Sequence, residues 1–305
     1  MKEMNPAFPV PDEVVKYVRQ VFRACDKELG LRIERVPGVH EPALDMALID
    51  ELAKFSSPVS VTPEWTVRID THFLGGRKHY YTWEVADIGL LVYVRLGGKL
   101  YATKVALLQS KRLKPSSGGA IDQETKSDYG VGFARLMPSK ESAVSFSTPT
   151  TFRFERSSKY KALQAGDHQA KAIAEFEEHK RIPVHYLFYN PWNIPSAMHL
   201  PLTGVPKLSG AGNAGARVVP AADIRGLLAG KAATYAPSFK DIEGLAGQGT
   251  HLAGWRLDYF VADLVIGCKQ GKLLEEANVA NMNSLFFSRS GPISAAIAIG
   301  IDKSD

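Results

Sequence analysis

The chain has 305 residues, of which 45% are hydrophobic, and it carries a formal net charge of +5 with an isoelectric point near 9.0. This length and composition allow a sizeable hydrophobic core, built as one large domain or two modest ones. The two cysteines, Cys25 and Cys268, lie in apolar helical sequence, which argues against a disulfide framework and indicates a reducing, cytoplasmic environment. The sequence shows no signal core, no run long enough for a membrane helix and no zinc spacing. The basic charge permits a polyanionic partner.

The first two thirds of the chain predict a mixed α/β core with the element order αβββαβ. Periodicity and turn residues give the following order: a helix over 11–30 that ends at Gly30, a helix from Pro42, strands within 59–74, 82–96 and 99–113, a polar loop over 114–156, a helix within 157–180, and a short strand over 182–190. The expected fold class is α/β, with a mixed central sheet flanked by helices.

The last third is rich in glycine, alanine and proline. Helices are predicted near 221–230, 253–268 and 272–283, with a strand at 294–301. We therefore divide the chain into an N-terminal helix packed on the core (1–34), the core itself (35–191), and a helical, loop-rich C-terminal extension or small accessory domain (192–305). We expect the last part to pack on the core and to shape access to it.

A polar pair stands at the end of an apolar strand in the stretch "LLQSKRLKP". Because residues two apart share one face of a strand, Gln109 and Lys111 lie on the same side of the sheet. Asp87 belongs to the preceding strand, in a run otherwise suited to burial. A plain two-residue turn at Gly97-Gly98 would set Asp87 opposite Leu108, whereas a three-residue turn or a bulge would set it opposite Gln109. A common site requires the second register.

A third polar residue, Glu41, heads an apolar stripe on the second predicted helix. Because that stripe must face the sheet, we expect Glu41 to point towards the sheet as well. Two carboxylates, the Gln109 amide oxygen and the Lys111 ammonium would then converge at one end of the sheet. Asp87, Gln109 and Glu41 are the expected ligands of Mg²⁺ or Mn²⁺, which take oxygen ligands and few carboxylates. The lysine would orient water or stabilise developing negative charge.

Asp87 followed by Gln109-Ser110-Lys111 resembles the PD-(D/E)xK restriction-endonuclease-like nucleases, and more narrowly their Mrr-like branch, in which glutamine often replaces the middle acid. Glu41 matches an additional acid that many members carry. The resemblance covers about residues 35–190, and Ala86 stands where the nominal motif has proline. It implies a restriction-endonuclease-like core and an Mg²⁺-dependent endonuclease that hydrolyses phosphodiester bonds in DNA, in restriction or anti-phage defence. The catalytic residues would be Asp87, Gln109, Lys111 and Glu41.

Simpler interpretations of these residues stay open. Asp87 can cap a loop, Lys111 can belong to a solvated basic run, and Glu41 can be a helix-start acid that the helix dipole favours. In that case the chain would be a catalytically inactive nucleic-acid-binding module, or a scaffold, that retains the nuclease fold.

Basic residues near the motif are candidates for phosphate contact. They are Arg112 and Lys114 after the strand, Arg153, Arg156 and Lys159 around "FRFERSSKYK", and the neighbouring polar residue Gln169 on the next helix. Such contacts give salt-dependent binding that does not read sequence. DNA is the partner that the resemblance implies, with RNA as an alternative because no feature reads a 2′-hydroxyl, and a second copy of the chain is a further candidate partner.

Overall fold

The chain folds as a mixed α/β structure in which a mixed central sheet is flanked by helices, as the sequence predicts. The structure is a computed structural model, and it describes residues 8–73, 85–116, 150–200, 202, 204, 210–245, 254–274 and 293–304. Within these ranges, no helix has the length and apolar character needed to span a membrane.

The described residues form the following elements. The helices are α1 (Asp12–Arg35), α2 (Glu41–Ala53), α3 (His168–Lys180), α4 (Ala221–Leu228), α5 (Phe239–Glu243) and α6 (Leu257–Tyr259), which continues as a π-helix over Phe260–Ile266. The strands are β1 (Val59–Ser60), β2 (Trp65–Phe73), β3 (Ala86–Leu96), β4 (Lys99–Arg112), β5 (Thr150–Phe154), β6 (Val184–Tyr189), β7 (Ser196–Leu200), β8 (Arg217–Pro220), β9 (Trp255–Arg256), β10 (Lys272–Leu274) and β11 (Ile293–Lys303).

Nine of these strands form one sheet, in the order β1-β2-β11-β3-β4-β6-β8-β9, with β10 paired to β4. β3 and β4 form an antiparallel hairpin, whereas β4 and β6 run parallel and are joined by a crossover that contains α3. The strands β5 and β7 form a separate two-stranded sheet. α1, α2 and the π-helix pack together, with α2 and the π-helix against the sheet, while α3 contacts α4, which packs on β6 and β8.

The central sheet takes strands from the C-terminal region, which the sequence interpretation set apart as a helical extension or accessory domain over 192–305. β8, β9, β10 and β11 all belong to the sheet. β11 is an interior strand, antiparallel to β2 on one side and parallel to β3 on the other. The sequence predicts a strand here because its residues alternate between isoleucine and small apolar residues. Its neighbours are distant in sequence, so local periodicity does not identify them.

The first helix runs through Gly30 to Arg35, so its predicted end at Gly30 is wrong. Gly30 is buried, and a Cβ placed on it would lie 3.1 Å from the Cβ of Trp192. The glycine therefore allows α1 to approach the segment after β6, instead of ending the helix.

Two other predicted helices differ from the structure. The helix within 157–180 is confirmed over its second half, as α3. Of the predicted helix over 272–283, residues 272–274 form β10 and the others lie outside the described residues.

Substitution in β11 tests whether this strand is integral to the fold. Ile299 is fully buried and pairs with Ile69 in β2 and Val92 in β3. We expect Ile299→Ala to lower the free energy of unfolding by about 2–5 kcal/mol, because it leaves a cavity in the centre of the sheet. Urea denaturation followed by fluorescence and circular dichroism measures this change.

The control is Asp302→Ala on the same strand, where a surface pair with Arg95 at 3.2 Å predicts a loss of at most about 1 kcal/mol. Two separate transitions, with Ile299→Ala affecting only one of them, would show that the C-terminal region folds independently.

Candidate active site

The β3–β4 hairpin has the register that the predicted site requires. Its turn is the two-residue Gly97-Gly98, with positive φ at both positions. A bulge at Tyr101 then shifts the pairing by one residue. The shifted register brings Asp87 beside Gln109, which confirms the second of the two alternatives.

Asp87 and Gln109 are joined by a hydrogen bond. Gln109 Nε2 donates to Asp87 Oδ2 at 2.5 Å, and the Ser110 backbone N–H donates to the same oxygen at 2.7 Å. This geometry fixes the orientation of the amide, because only its nitrogen can donate to a carboxylate. Gln109 Oε1 is buried and accepts no hydrogen bond from the described residues. A buried acceptor without a donor is rare, and this one is available to a cation or a water.

Glu41 reaches the same end of the sheet from α2. Its Oε1 accepts a hydrogen bond from the Arg112 backbone N–H at 2.9 Å, and its Oε2 lies 3.9 Å from Lys111 Nζ. The pairing of β3 with β4 ends before Ser110. The carboxylates of Asp87 and Glu41 therefore take the place of a strand along this edge of β4, and each accepts a backbone N–H.

Lys111 lies on the part of β4 that extends past its pairing with β3, and its side chain is only 6% exposed. Positions alternate along β4, so Gln109 and Lys111 share the face opposite to Ser110, whose hydroxyl binds a residue of α2. Their neighbours on β6, Tyr186 and Phe188, are buried core residues. Lys111 approaches Glu41 from the other side of the sheet because β3 no longer runs alongside β4 at this point.

Asp45 is a site residue that sequence reasoning missed. It lies one turn after Glu41 on α2, and its Oδ1 accepts hydrogen bonds from Ser110 Oγ at 2.5 Å and Tyr189 Oη at 2.8 Å. Burial, together with the charge of Glu41, raises the pKa of Asp45 to about 7, against the lowering effect of the two hydrogen bonds and of Lys111. The available signal was an acid four residues after Glu41 on a helix with a buried face.

Two of the predicted phosphate contacts are not accessible. Arg112 is 2% exposed, and its guanidinium donates to the carbonyl of Val39. Lys114 is 5% exposed, and its backbone N–H donates to the carbonyl of Lys159. The chain after β4 is covered by the segment around Lys159, so a run of bases that looks solvated in the sequence is buried in the fold. Neither side chain can meet a phosphate in this conformation.

The other basic candidates lie on the surface. Arg153, Arg156 and Lys159 are exposed, and Arg156 forms an ion pair with Glu243. The Ser116 N–H donates to the carbonyl of Arg153 at 2.8 Å, so this basic segment adjoins the end of the strand that carries Lys111.

Gln169 is half-buried at the start of α3, where its backbone N–H donates to the capping residue Asp167 at 3.1 Å. Within the described ranges, Gln169 forms no hydrogen bond with Asp87, Gln109, Lys111 or Glu41.

The residues at this end of the sheet fit the predicted metal ion by type. Within the described ranges, no three Asp, Glu, His or Cys side chains form a ready-made ligand set. The candidate donors are therefore the carboxylates of Asp87 and Glu41 together with the unsatisfied amide oxygen of Gln109. Two carboxylates and one neutral oxygen suit Mg²⁺ or Mn²⁺, which retain several water ligands.

Comparison of the chain with protein-family models, curated proteins and solved structures gives no match. A functional conclusion therefore depends on the geometry and chemistry of the described residues.

The buried carboxyl of Asp45 should make stability depend on pH. Its folded pKa of about 7 exceeds an unfolded value near 3.9, so the folded protein binds the extra proton. The free energy of unfolding should therefore fall as pH rises from about 4 to about 7. Asp45→Asn keeps an oxygen that can accept both hydrogen bonds but carries no charge. We expect this variant to be more stable than the unaltered protein at pH 8 by a few kcal/mol, since one pKa unit corresponds to about 1.4 kcal/mol.

Urea denaturation at pH 5 and pH 8 measures this difference. The matched control is Asp50→Asn, at an exposed position of the same helix, which should retain the pH dependence of the unaltered protein. An identical pH dependence in all three proteins would show that Asp45 is ionised in the fold.

Proposed function

We propose that the protein is a metal-dependent nuclease with a restriction-endonuclease-like core that hydrolyses phosphodiester bonds in DNA. One observation carries this proposal: Gln109 binds Asp87 through its amide nitrogen and keeps its amide oxygen buried without a donor. Lys111 and Glu41 lie 3.9 Å apart at the same end of β4. Oxygen ligands and a lysine beside them are the groups that metal-assisted phosphodiester hydrolysis uses.

The element order supports this assignment of the core. Apart from the two-residue strand β1 and the strand β5, which belongs to the separate sheet, α2, β2, β3, β4, α3 and β6 follow one another as αβββαβ, and β4 and β6 are parallel. The sheet departs from this simple core because β11 lies between β2 and β3. β11 pairs with the edge of β3 that faces away from β4, so it does not interrupt the β3–β4 hairpin, which carries Asp87, Gln109 and Lys111.

Each site residue has a defined task in the proposed reaction. Asp87, Gln109 and Glu41 would hold Mg²⁺ or Mn²⁺, which supplies Lewis-acid stabilisation of the phosphate and a more acidic water. Lys111 can donate a hydrogen bond to the attacking water or to a phosphate oxygen as negative charge develops. Because its side chain is nearly buried, that interaction is screened less than it would be on the surface.

Asp45 and Tyr189 position the motif. Asp45 Oδ1 accepts a hydrogen bond from Ser110 Oγ, and the Tyr189 hydroxyl donates to the same Asp45 oxygen. Ser110 lies between Gln109 and Lys111 in the chain. Because adjacent residues of a strand face opposite sides of the sheet, holding Ser110 from the α2 side also fixes the directions of Gln109 and Lys111 on the opposite face.

A surface for the nucleic acid adjoins the site. Arg153, Arg156 and Lys159 are exposed, and Lys161 and Lys240 extend the same surface. The Lys240 N–H donates to the carbonyl of Arg156 at 2.8 Å, which holds the two segments together. These side chains can contact phosphates without reading bases.

A nucleic-acid-binding protein without catalysis is the second candidate. It is favoured by the hydrogen bonds of the two carboxylates, since Asp87 Oδ2 accepts two and Glu41 Oε1 accepts one. Both acids could therefore serve only to complete the edge of β4. A cleavage assay separates the two candidates.

The cleavage assay uses plasmid, linear duplex, single-stranded DNA and RNA, each with Mg²⁺ or Mn²⁺ and with EDTA. We expect cleavage of DNA that EDTA abolishes. Asp87→Asn and Lys111→Met should each lower the single-turnover rate by about 10²-fold or more, because they remove groups that act on the transition state. Binding to DNA should change little.

The matched control for Lys111→Met is Lys99→Met, at the exposed start of the same strand, which should cleave at the unaltered rate. Cleavage by Lys111→Met at that same rate would remove the catalytic assignment, and binding without any cleavage would favour the second candidate.

Substitutions in the basic surface should weaken the binding of DNA. Arg156→Gln and Lys159→Gln, each combined with Lys111→Met to prevent cleavage, should make the negative slope of log affinity against log salt less steep, by about one unit for each lost phosphate contact. Lys99→Gln in the same background is the control. Binding isotherms at several salt concentrations measure the slopes, and unchanged slopes in both variants would place the phosphate contacts elsewhere.

A further inference from the structure

A pocket lies between α1 and α2, beside the turn that joins these two helices. Its cavity of about 430 Å³ lies in the range of small-molecule sites. The apolar part of its lining consists of Leu29 from α1, Val36 and Val39 from the turn, and Ala47 from α2. Leu29 and Ala47 are buried, whereas Val36 is 52% exposed. The α1–α2 pocket therefore offers apolar surface, part of which is left in contact with water.

Four charged residues complete the lining of the α1–α2 pocket. Glu28, Arg32 and Arg35 belong to α1, and Glu51 belongs to α2. Glu51 Oε2 accepts a hydrogen bond from Lys54 Nζ at 2.5 Å, so its charge is balanced by a lysine outside the lining. Arg32 and Arg35 are exposed, and neither guanidinium forms an ion pair or a hydrogen bond with another described residue. Both guanidinium groups are therefore available to a ligand.

The two arginines form the positive end of the pocket. Arg32 and Arg35 are three residues apart on α1, so their side chains are neighbours on the helix surface and can reach one anionic group. Guanidinium groups bind carboxylates and phosphates through paired hydrogen bonds. Glu28 lies on the same face of α1, but it is about 10 Å from Arg35 along the helix axis. The charge pattern therefore favours an anion at the arginine end, next to Val36.

We propose that the α1–α2 pocket binds an anionic amphiphile, which is a molecule with an apolar body and a carboxylate or phosphate at one end. The apolar body covers Val36 and packs against Leu29 and Ala47, which removes apolar surface from water. The anionic end binds the guanidinium groups of Arg32 and Arg35.

The α1–α2 pocket and the candidate active site use different faces of α2. Asp45 binds Ser110 of β4, whereas Ala47, two residues later, lines the pocket. Successive residues of an α-helix are rotated by about 100°, so positions two apart point in nearly opposite directions. The two sites meet only at the turn, where the carbonyl of Val39 accepts a hydrogen bond from the Arg112 guanidinium. Ligand binding in the pocket does not depend on the proposed nuclease function.

The test is isothermal titration calorimetry of the full chain with four probes that share one alkyl chain length and differ in head group. The probes are decanoate, decyl phosphate, decanol and decyltrimethylammonium, each below its micelle concentration. We expect decanoate or decyl phosphate to bind at one site per chain, and the tighter of the two identifies the head group. Decanol and decyltrimethylammonium should bind at least about tenfold more weakly, because they form no charge-assisted hydrogen bond with arginine.

Substitutions in the lining separate the arginines from the apolar surface. Arg32→Gln combined with Arg35→Gln should lower the affinity for the anionic probe about tenfold or more, through loss of the charge-assisted hydrogen bonds. Val36→Glu should also weaken binding, because it places a negative charge beside the arginines. The matched control is Lys27→Gln, at an exposed position of α1 outside the lining, which should bind as the unaltered protein does.

Circular dichroism establishes that each variant is folded, as we expect because the substituted side chains are exposed. Equal affinity for all four probes would overturn the proposal. An unchanged affinity in the arginine variant would overturn it as well, and so would the absence of binding by both anionic probes.

Discussion

β4 continues past the point where β3 stops pairing with it, and the backbone N–H groups along that open edge require acceptors. Asp87 and Glu41 provide them, at Ser110 and Arg112 respectively. The same contacts bring two carboxylates to the end of β4 and hold Gln109 and Lys111 beside them. The hydrogen-bonding requirement of one strand edge that β3 leaves unpaired is thus what assembles the candidate site, and any metal bound there would have to share the carboxylates with the backbone.

The sequence predicts those parts of the fold that local periodicity controls. Gln109 and Lys111 share a face because strands alternate, and Glu41 faces the sheet because its helix does. The register of Asp87 stays open in the sequence, because either turn length is compatible with two glycines and the bulge at Tyr101 has no local signal. Long-range contacts decide the remainder. Lys114 is bound by Lys159, 45 residues later in the chain, and the Arg112 guanidinium donates to the carbonyl of Val39, 73 residues earlier, so sequence propensity, which assigns both bases to the surface, does not predict their burial.

Two buried lysines on one strand differ in their surroundings. Lys111 Nζ lies 3.9 Å from a carboxylate oxygen of Glu41. Lys104 is fully buried, its ammonium has no hydrogen-bond partner among the described residues, and burial lowers its pKa. Positions 104 and 111 differ by an odd number, so the two side chains lie on opposite faces of the sheet. β4 therefore carries one buried lysine on each face.

The position of β11 has a consequence for how the chain folds. About 200 residues of sequence separate β11 from β3, and contacts between such distant segments form slowly. Until β11 arrives, β2 and β3 each present an unpaired edge lined with valine, isoleucine and leucine. Such edges are templates for pairing with other chains. A nascent or shortened chain without residues 293–303 would therefore tend to associate through these two edges, instead of closing into a smaller version of the same sheet.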